Sequence, residues 1–215
     1  MKTLYYSFIS LLLFLPFIAT ATDDTQIRQF TNAKTLFLDA VEGDKSSLPK
    51  ATALFEQLLD QQPDNVVFAA YLGGATTLAG GHAFWPWKKM KLAETGMDML
   101  DANLAKLTKA DEDRDILGVP MTLEVWLVSA YTFTTVPDMF HRYSDGTALI
   151  RKLLAHPDYA TSPAQFRAAV QMRVALIAEQ EKDDQAFQAA LKQVLNLDPH
   201  GRYGSKARLM QKGSK

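Results

Sequence analysis

Apolar residues recur along this chain at helical rather than strand spacing from Thr25 onward. In TQIRQFTNAKTLFLDAVEG the positions Ile27, Phe30, Ala33, Phe37, Ala40 and Val41 advance mostly by three and four, and Gly43 supplies a stop. SSLPKATALFEQLLDQQP follows, with Ser and Pro49 at its start, Pro63 beyond its end, and Ala51, Leu54, Phe55, Leu58 and Leu59 on one face. The two segments predict a helical hairpin. DNVVFAAYLGGATTLAGG is dense in small residues, which lets a neighbouring helix approach closely, and the segment starting near Pro86 carries the stripe Met90, Ala93, Met97, Leu100, Leu104, Leu107. They predict a second hairpin. MTLEVWLVSAYTFTTV suits a strand or a helix by content, and its place in the alternation selects helix. SDGTALIRKLLAH is its short partner. SPAQFRAAVQMRVALIAEQ opens with Ser162 as expected N-cap and Pro163 at the first helical position, and puts Phe166, Val170, Val174 and Ile177 on one face. DDQAFQAALKQVLNLDP completes a fourth hairpin, and GSKARLMQK predicts a terminal helix over the last open face.

The expected fold is therefore all-α: about four antiparallel helical hairpins with a C-terminal capping helix, stacked as a solenoid rather than closed as a bundle. Ala51, Phe55, Leu58 and Pro63 in the second helix, and Phe187, Leu191, Val194 and Pro199 in the eighth, share gaps of 4, 3 and 5. That spacing resembles the second helix of the tetratricopeptide repeat (TPR), and Leu72-Gly73 looks like the Leu-Gly of its first helix. The resemblance runs from about Thr25 to Pro199. It implies a right-handed solenoid that binds extended peptides along a concave face lined by the first helix of each hairpin. Val67, Ala70, Gly74 and Thr77, then Leu127 and Tyr131, then Met172 and Leu176 would face that groove or be buried between helices. The lysine and asparagine that clamp a peptide carboxylate in chaperone-binding members are lacking there. Much of the length beyond a plain repeat falls in two inserted loops, Ala79 to Trp87 and Val136 to Ser144.

Residues 1–21 have one early lysine, an apolar run from about Leu4 to Ile18 broken by Pro16, and Ala19 and Ala21 flanking Thr20. This pattern predicts a signal peptide cleaved after Ala21, with an uncleaved anchor as the alternative. Residues 22–215 would then form one domain, exported and periplasmic if the cell has two membranes. Cleavage would remove Lys2 and no acid, which leaves 22 basic against 24 acidic residues. A net charge of −2 gives no reason to expect nucleic acid or an acidic membrane as a general partner. No stable membrane insertion is expected after cleavage, and the oligomeric state is left open. With no cysteine, an exported chain has to draw its stability from its core.

No catalytic signature is present, so the expected function is non-enzymatic, without cofactor or metal. His82, His141, His156 and His200 have no partner at metal-ligand spacing. DEDRD at 111–115 starts like a calcium loop, but Ile116 stands where glycine is required and Thr122 where glutamate is. A solvated loop is expected there.

The sharper signal is in the insertions. In a solenoid equivalent loops lie side by side, so GGHAFWPWKKMK and VPDMFHRYSDG should be neighbours on one edge. They offer Phe84, Trp85, Trp87, Lys88, Lys89, Lys91, Phe140, Arg142 and Tyr143 as candidate partner-binding residues. Pro86 suits a helix start, which places the three lysines at the positive end of that helix, so an anionic group should compensate. Asp138 and Asp145 are internal candidates, and a partner's acid is the external one. The alternative reading has the tryptophans plug the space between hairpins, with the lysines reaching out to solvent. The function expected is an envelope scaffold or adaptor that holds a protein or peptide through the groove or the edge formed by loops 79–91 and 136–146. The alternative is a ligand-binding or transport-accessory protein.

Overall fold

The computed structural model describes the backbone of residues 19–213 and the side chains of residues 24–213. All but the last three residues of the expected signal peptide lie outside the described residues. The described chain is all-helical, apart from one two-residue hairpin.

Helices α1 (Ala19–Val41) and α2 (Ser47–Gln61) pack together, as do α3 (Val66–His82) and α4 (Pro86–Lys106). The faces foreseen from spacing are the buried ones. Phe30, Ala33, Phe37 and Ala40 of α1 meet Ala51, Phe55 and Leu58 of α2. Phe30, Phe37, Phe55 and Tyr71 form a cluster in which ring centroids lie 5.2 to 6.5 Å apart. Asn65 caps α3, its Oδ1 accepting from the N–H groups of Val67 at 3.1 Å and Phe68 at 3.2 Å. Along α3, the absence of a Cβ at Gly73 lets α4 come close: a methyl there would stand 3.0 Å from the Gly96 carbonyl oxygen.

The short helix α5 (Lys109–Glu112) follows, closed by a capping box between Thr108 and Asp111. Strands β1 (Asp115–Ile116) and β2 (Val119–Pro120) then pair across Leu117-Gly118, both at positive φ. The segment expected as a solvated loop therefore folds, with Asp111 and Ile116 buried. α6 (Met121–Phe133) pairs with α7 (Tyr143–Leu154), α8 (Ala164–Glu181) with α9 (Asp184–Leu197), and α10 (Arg202–Gly213) lies on α8 and α9. α6 is buried at 12 of its 13 residues, which is why its sequence shows no polar face. Ser162 does not cap α8. Its Oγ donates to the Asp158 carbonyl at 2.7 Å, and the helix begins one residue later, after Pro163.

The core is serial. One cluster belongs to α1–α4 with one side of α6, a second to α6, α7 and α8, and a third to α8, α9 and α10. Leu104, Leu107 and Leu149 touch the first two clusters, and Val174 the last two.

Candidate interaction site

α3 ends at His82, and after three intervening residues α4 begins at Pro86. Ala83 and Trp85 are extended, Pro86 takes the first turn of α4, and the N–H groups of Lys88 and Lys89 both donate to the Trp85 carbonyl at 3.0 Å. This short reversal turns Phe84, Trp85 and Trp87 outward. They are 82%, 52% and 66% exposed, so they do not plug a space between hairpins. Their rings pack on one another: Trp85 stacks on Trp87 at 4.8 Å, and Phe84 meets Trp85 edge-on at 5.1 Å. Lys88, Lys89 and Lys91 are exposed, and no described ion pair reaches any of them. Asp145 does not answer them, because it pairs with Arg142. Nearby, His82 is held below its usual pKa by burial and then by the charge of Lys45.

The second inserted loop leaves α6 through Val136 and Pro137, makes a 3-10 turn at Asp138–Phe140, and passes through His141 at φ 54 into α7. Phe140 is half-buried against the core, and Met139 is 60% exposed. The Arg142 guanidinium lies 3.8 Å from the Phe133 ring centroid, donates twice to Asp101 of α4 at 2.7 and 2.6 Å, and pairs through Nε with Asp145 at 2.8 Å. The Tyr143 hydroxyl donates to Glu181 of α8 at 3.1 Å. Both side chains are therefore engaged inside the chain, where they tie the loop to α4 and α8.

Burial, followed by donation to Glu181, pushes the Tyr143 pKa up to about 12. A tyrosine whose folded-state pKa exceeds its unfolded value of about 10 stabilises the fold fully below pH 10. That contribution is lost as pH rises through 12. Chemical denaturation across this window should show native stability falling more steeply than that of Tyr143→Phe. Equal slopes would refute the assignment.

Between the two loops lies a cleft of about 510 Å³. Gly74, Thr77 and Gly81 of α3 form one wall, Met90 of α4 another, and Val136 and Phe140 a third. Its opening depends on two different glycines. A Cβ at Gly80 would stand 2.8 Å from the Lys89 carbonyl oxygen, so that position holds α3 against α4. A Cβ at Gly81 would meet no atom within 4 Å, so that position leaves space.

The face expected as a groove is different in kind. Leu127, Tyr131 and Met172 line a smaller cavity of about 190 Å³, together with Lys34 and with Tyr203 and Lys206 of α10. Val67 and Ala70 are fully buried rather than lining it, and Gly74 and Thr77 belong to the cleft. α10 crosses this face. Arg202 at its start pairs with Asp39 of α1 and with Glu42, just past the end of α1, the latter at 3.1 Å. The C-terminal helix thus covers the third core cluster, as a cap should, and also bridges to the first helix.

Below this face, the carboxylate of Glu124 is 1% exposed, paired with Lys34 and accepting from the Tyr71 hydroxyl. Arg173, 5% exposed, lies 3.6 Å from the Tyr131 ring centroid and donates to Thr134 Oγ1 at 3.1 Å and Thr135 Oγ1 at 3.3 Å; no described ion pair joins it to a carboxylate. Spacing alone flags neither group. The available signal for Glu124 was a lone acid in an otherwise apolar and hydroxyl-bearing run, MTLEVWLVSAYTF.

Among the described residues no group of three or more His, Asp or Glu side chains is placed to hold a metal ion, and no helix is long and apolar enough to cross a membrane. Comparison of the chain with protein-family models, with curated proteins and with solved structures finds no match.

Proposed function

We propose that this chain is a non-enzymatic interaction protein of the cell envelope, built as a TPR-like helical solenoid, which receives an apolar segment of a partner protein in the cleft between its two inserted loops. The solenoid reading is supported by the order of the helix pairs and by the serial core, in which each cluster draws on neighbouring hairpins. The export reading rests on the leader-like pattern of residues 1–21. The observation that carries the function is the cleft itself: about 510 Å³, with Met90, Val136 and Phe140 converging on a glycine-lined wall. α10 lies across the concave face that an extended peptide would use in an open TPR array, which favours the loop edge as the binding place.

Filling the cleft tests this. Gly81→Leu adds a side chain where no atom stands within 4 Å, and on helix propensity it should stabilise by up to about 1 kcal/mol. A photoreactive residue replacing Met139 should crosslink the native chain to one protein in cells, and Gly81→Leu should abolish the product with the urea midpoint unchanged or higher. Undiminished crosslinking from a folded Gly81→Leu chain would overturn the proposal. A second reading, a small apolar ligand enclosed in the same cleft, is favoured by a volume inside the range of about 300 to 1,000 Å³ common for ligand pockets. A molecule retained in native mass spectrometry, and lost from Gly81→Leu, would select it.

A further inference from the structure

We infer that the α3–α4 tip, from Phe84 to Lys91, is a membrane-docking element that rests on an anionic lipid surface beside the mouth of the cleft. This goes beyond the binding of a partner in the cleft and turns on the outward aromatics and lysines: Lys89 and Met139 also reach the cleft, whereas Phe84, Trp85, Trp87, Lys88 and Lys91 do not line it.

Three observations carry it. Phe84, Trp85 and Trp87, with Met139 from the adjoining loop, form a group of large apolar side chains each more than half exposed. A bilayer interface accepts such groups, because the indole ring is apolar over most of its surface and polar at one edge. Lys88, Lys89 and Lys91 accompany them without an ion pair among the described residues, and Lys91 stands one helical turn beyond Trp87 on the same face of α4. A lysine there can lay its stem along the lipid boundary and raise its ammonium to the phosphates.

The residue types then discriminate between a protein and a membrane. Cores of protein interfaces are enriched in arginine and depleted in lysine. Arg142 is held by Asp101 and Asp145, and the free cations of the tip are all lysines. The chain's net charge of −1 is no obstacle. Fields are screened over about 8 Å at physiological salt, so a lipid surface responds to the local lysines and not to the total.

Tryptophan fluorescence of the full chain reports on the tip directly. Two of the three tryptophans are Trp85 and Trp87, while the third, Trp126, is 4% exposed in the core. Vesicles of equal phosphatidylglycerol and phosphatidylcholine should shift the emission to the blue, and phosphatidylcholine brominated in its acyl chains should quench it. Vesicles of phosphatidylcholine alone should do far less. Lys88→Gln/Lys89→Gln/Lys91→Gln should weaken binding measured by this quenching about 100-fold, at about fivefold for each lysine removed. Because the readout is local, attachment through the apolar residues 1–21 alone cannot imitate it. Vesicle-bound chain with unquenched tryptophan would overturn the proposal, as would quenching unchanged in the triple variant. Emission that responds to an added protein while vesicles leave it unmoved would also overturn it, and would assign the tip to a protein.

Discussion

Lys34→Met is expected to destabilise the fold by about 3 to 5 kcal/mol, the cost of leaving one member of a buried ion pair without its partner. The stranded group would be the Glu124 carboxylate, 1% exposed and left with only the Tyr71 hydroxyl as donor, since its Oε2 already has no hydrogen-bond partner. Lys34 is the partly exposed member at 25%, and its ammonium also lies 5.7 Å from the Tyr71 ring and 5.9 Å from the Phe30 ring. For a domain of this size the loss corresponds to a fall in melting temperature of roughly 10 °C. The mechanism makes a second demand. In Lys34→Met/Glu124→Met/Tyr71→Phe no charge or hydroxyl remains to be stranded, so stability should return to within about 1 to 2 kcal/mol of native. Urea denaturation of the two variants decides the matter. A single variant as stable as native, or a triple variant as weak as the single one, would show that the pair does not hold α1 to α6.

Gly96→Ala should cost about 2 kcal/mol or more, although alanine is the better helix former. A Cβ there would stand 2.2 Å from Thr77 Oγ1, and 2.5 Å from both the Gly73 carbonyl oxygen and the Thr77 nitrogen. Two of those atoms are backbone and cannot rotate away, so α3 and α4 must separate. Overpacking of this kind costs about 1 to 3 kcal/mol or more, against a propensity gain of up to about 1 kcal/mol. Thr77 also lines the cleft, so the variant should lose crosslinking from position 139 along with stability. Gly81→Ala, with open space around its Cβ, is the matched control and should be neutral or stabilising. Equal urea midpoints for the two alanine variants would contradict the close approach.

Much of the fold was legible because its signal is local. The stripes on α1, α2, α4 and α9 match the buried faces, since a 3.6-residue period places residues three and four apart on one side. The signal failed where burial is complete or where turn chemistry is weak. α6 is buried nearly all round, so it lacks the contrast that reveals a period. Leu117-Gly118 lacks the Asn-Gly or Asp-Gly signature that announces a tight hairpin turn. Of the candidate site, the adjacency of the two loops around the cleft followed from repeat logic, but the roles of their side chains did not. Arg142 reads as an interface arginine until Asp101, 41 residues earlier, is brought to its guanidinium. Tyr143 likewise acquires Glu181, 38 residues later.

What the sequence by itself determined is the set of long helices, their order in pairs, and the place of the two insertions, because these follow from spacing and from glycine and proline within a few residues. The tertiary structure alone decided which polar groups are spent internally and which face outward. Lys34 meets Glu124 across 90 residues and Arg202 meets Asp39 across 163, and no local pattern encodes such meetings. The same holds for Phe84, Trp85 and Trp87: their composition fits a plug as well as a surface, and the three-residue reversal between α3 and α4 turns them outward.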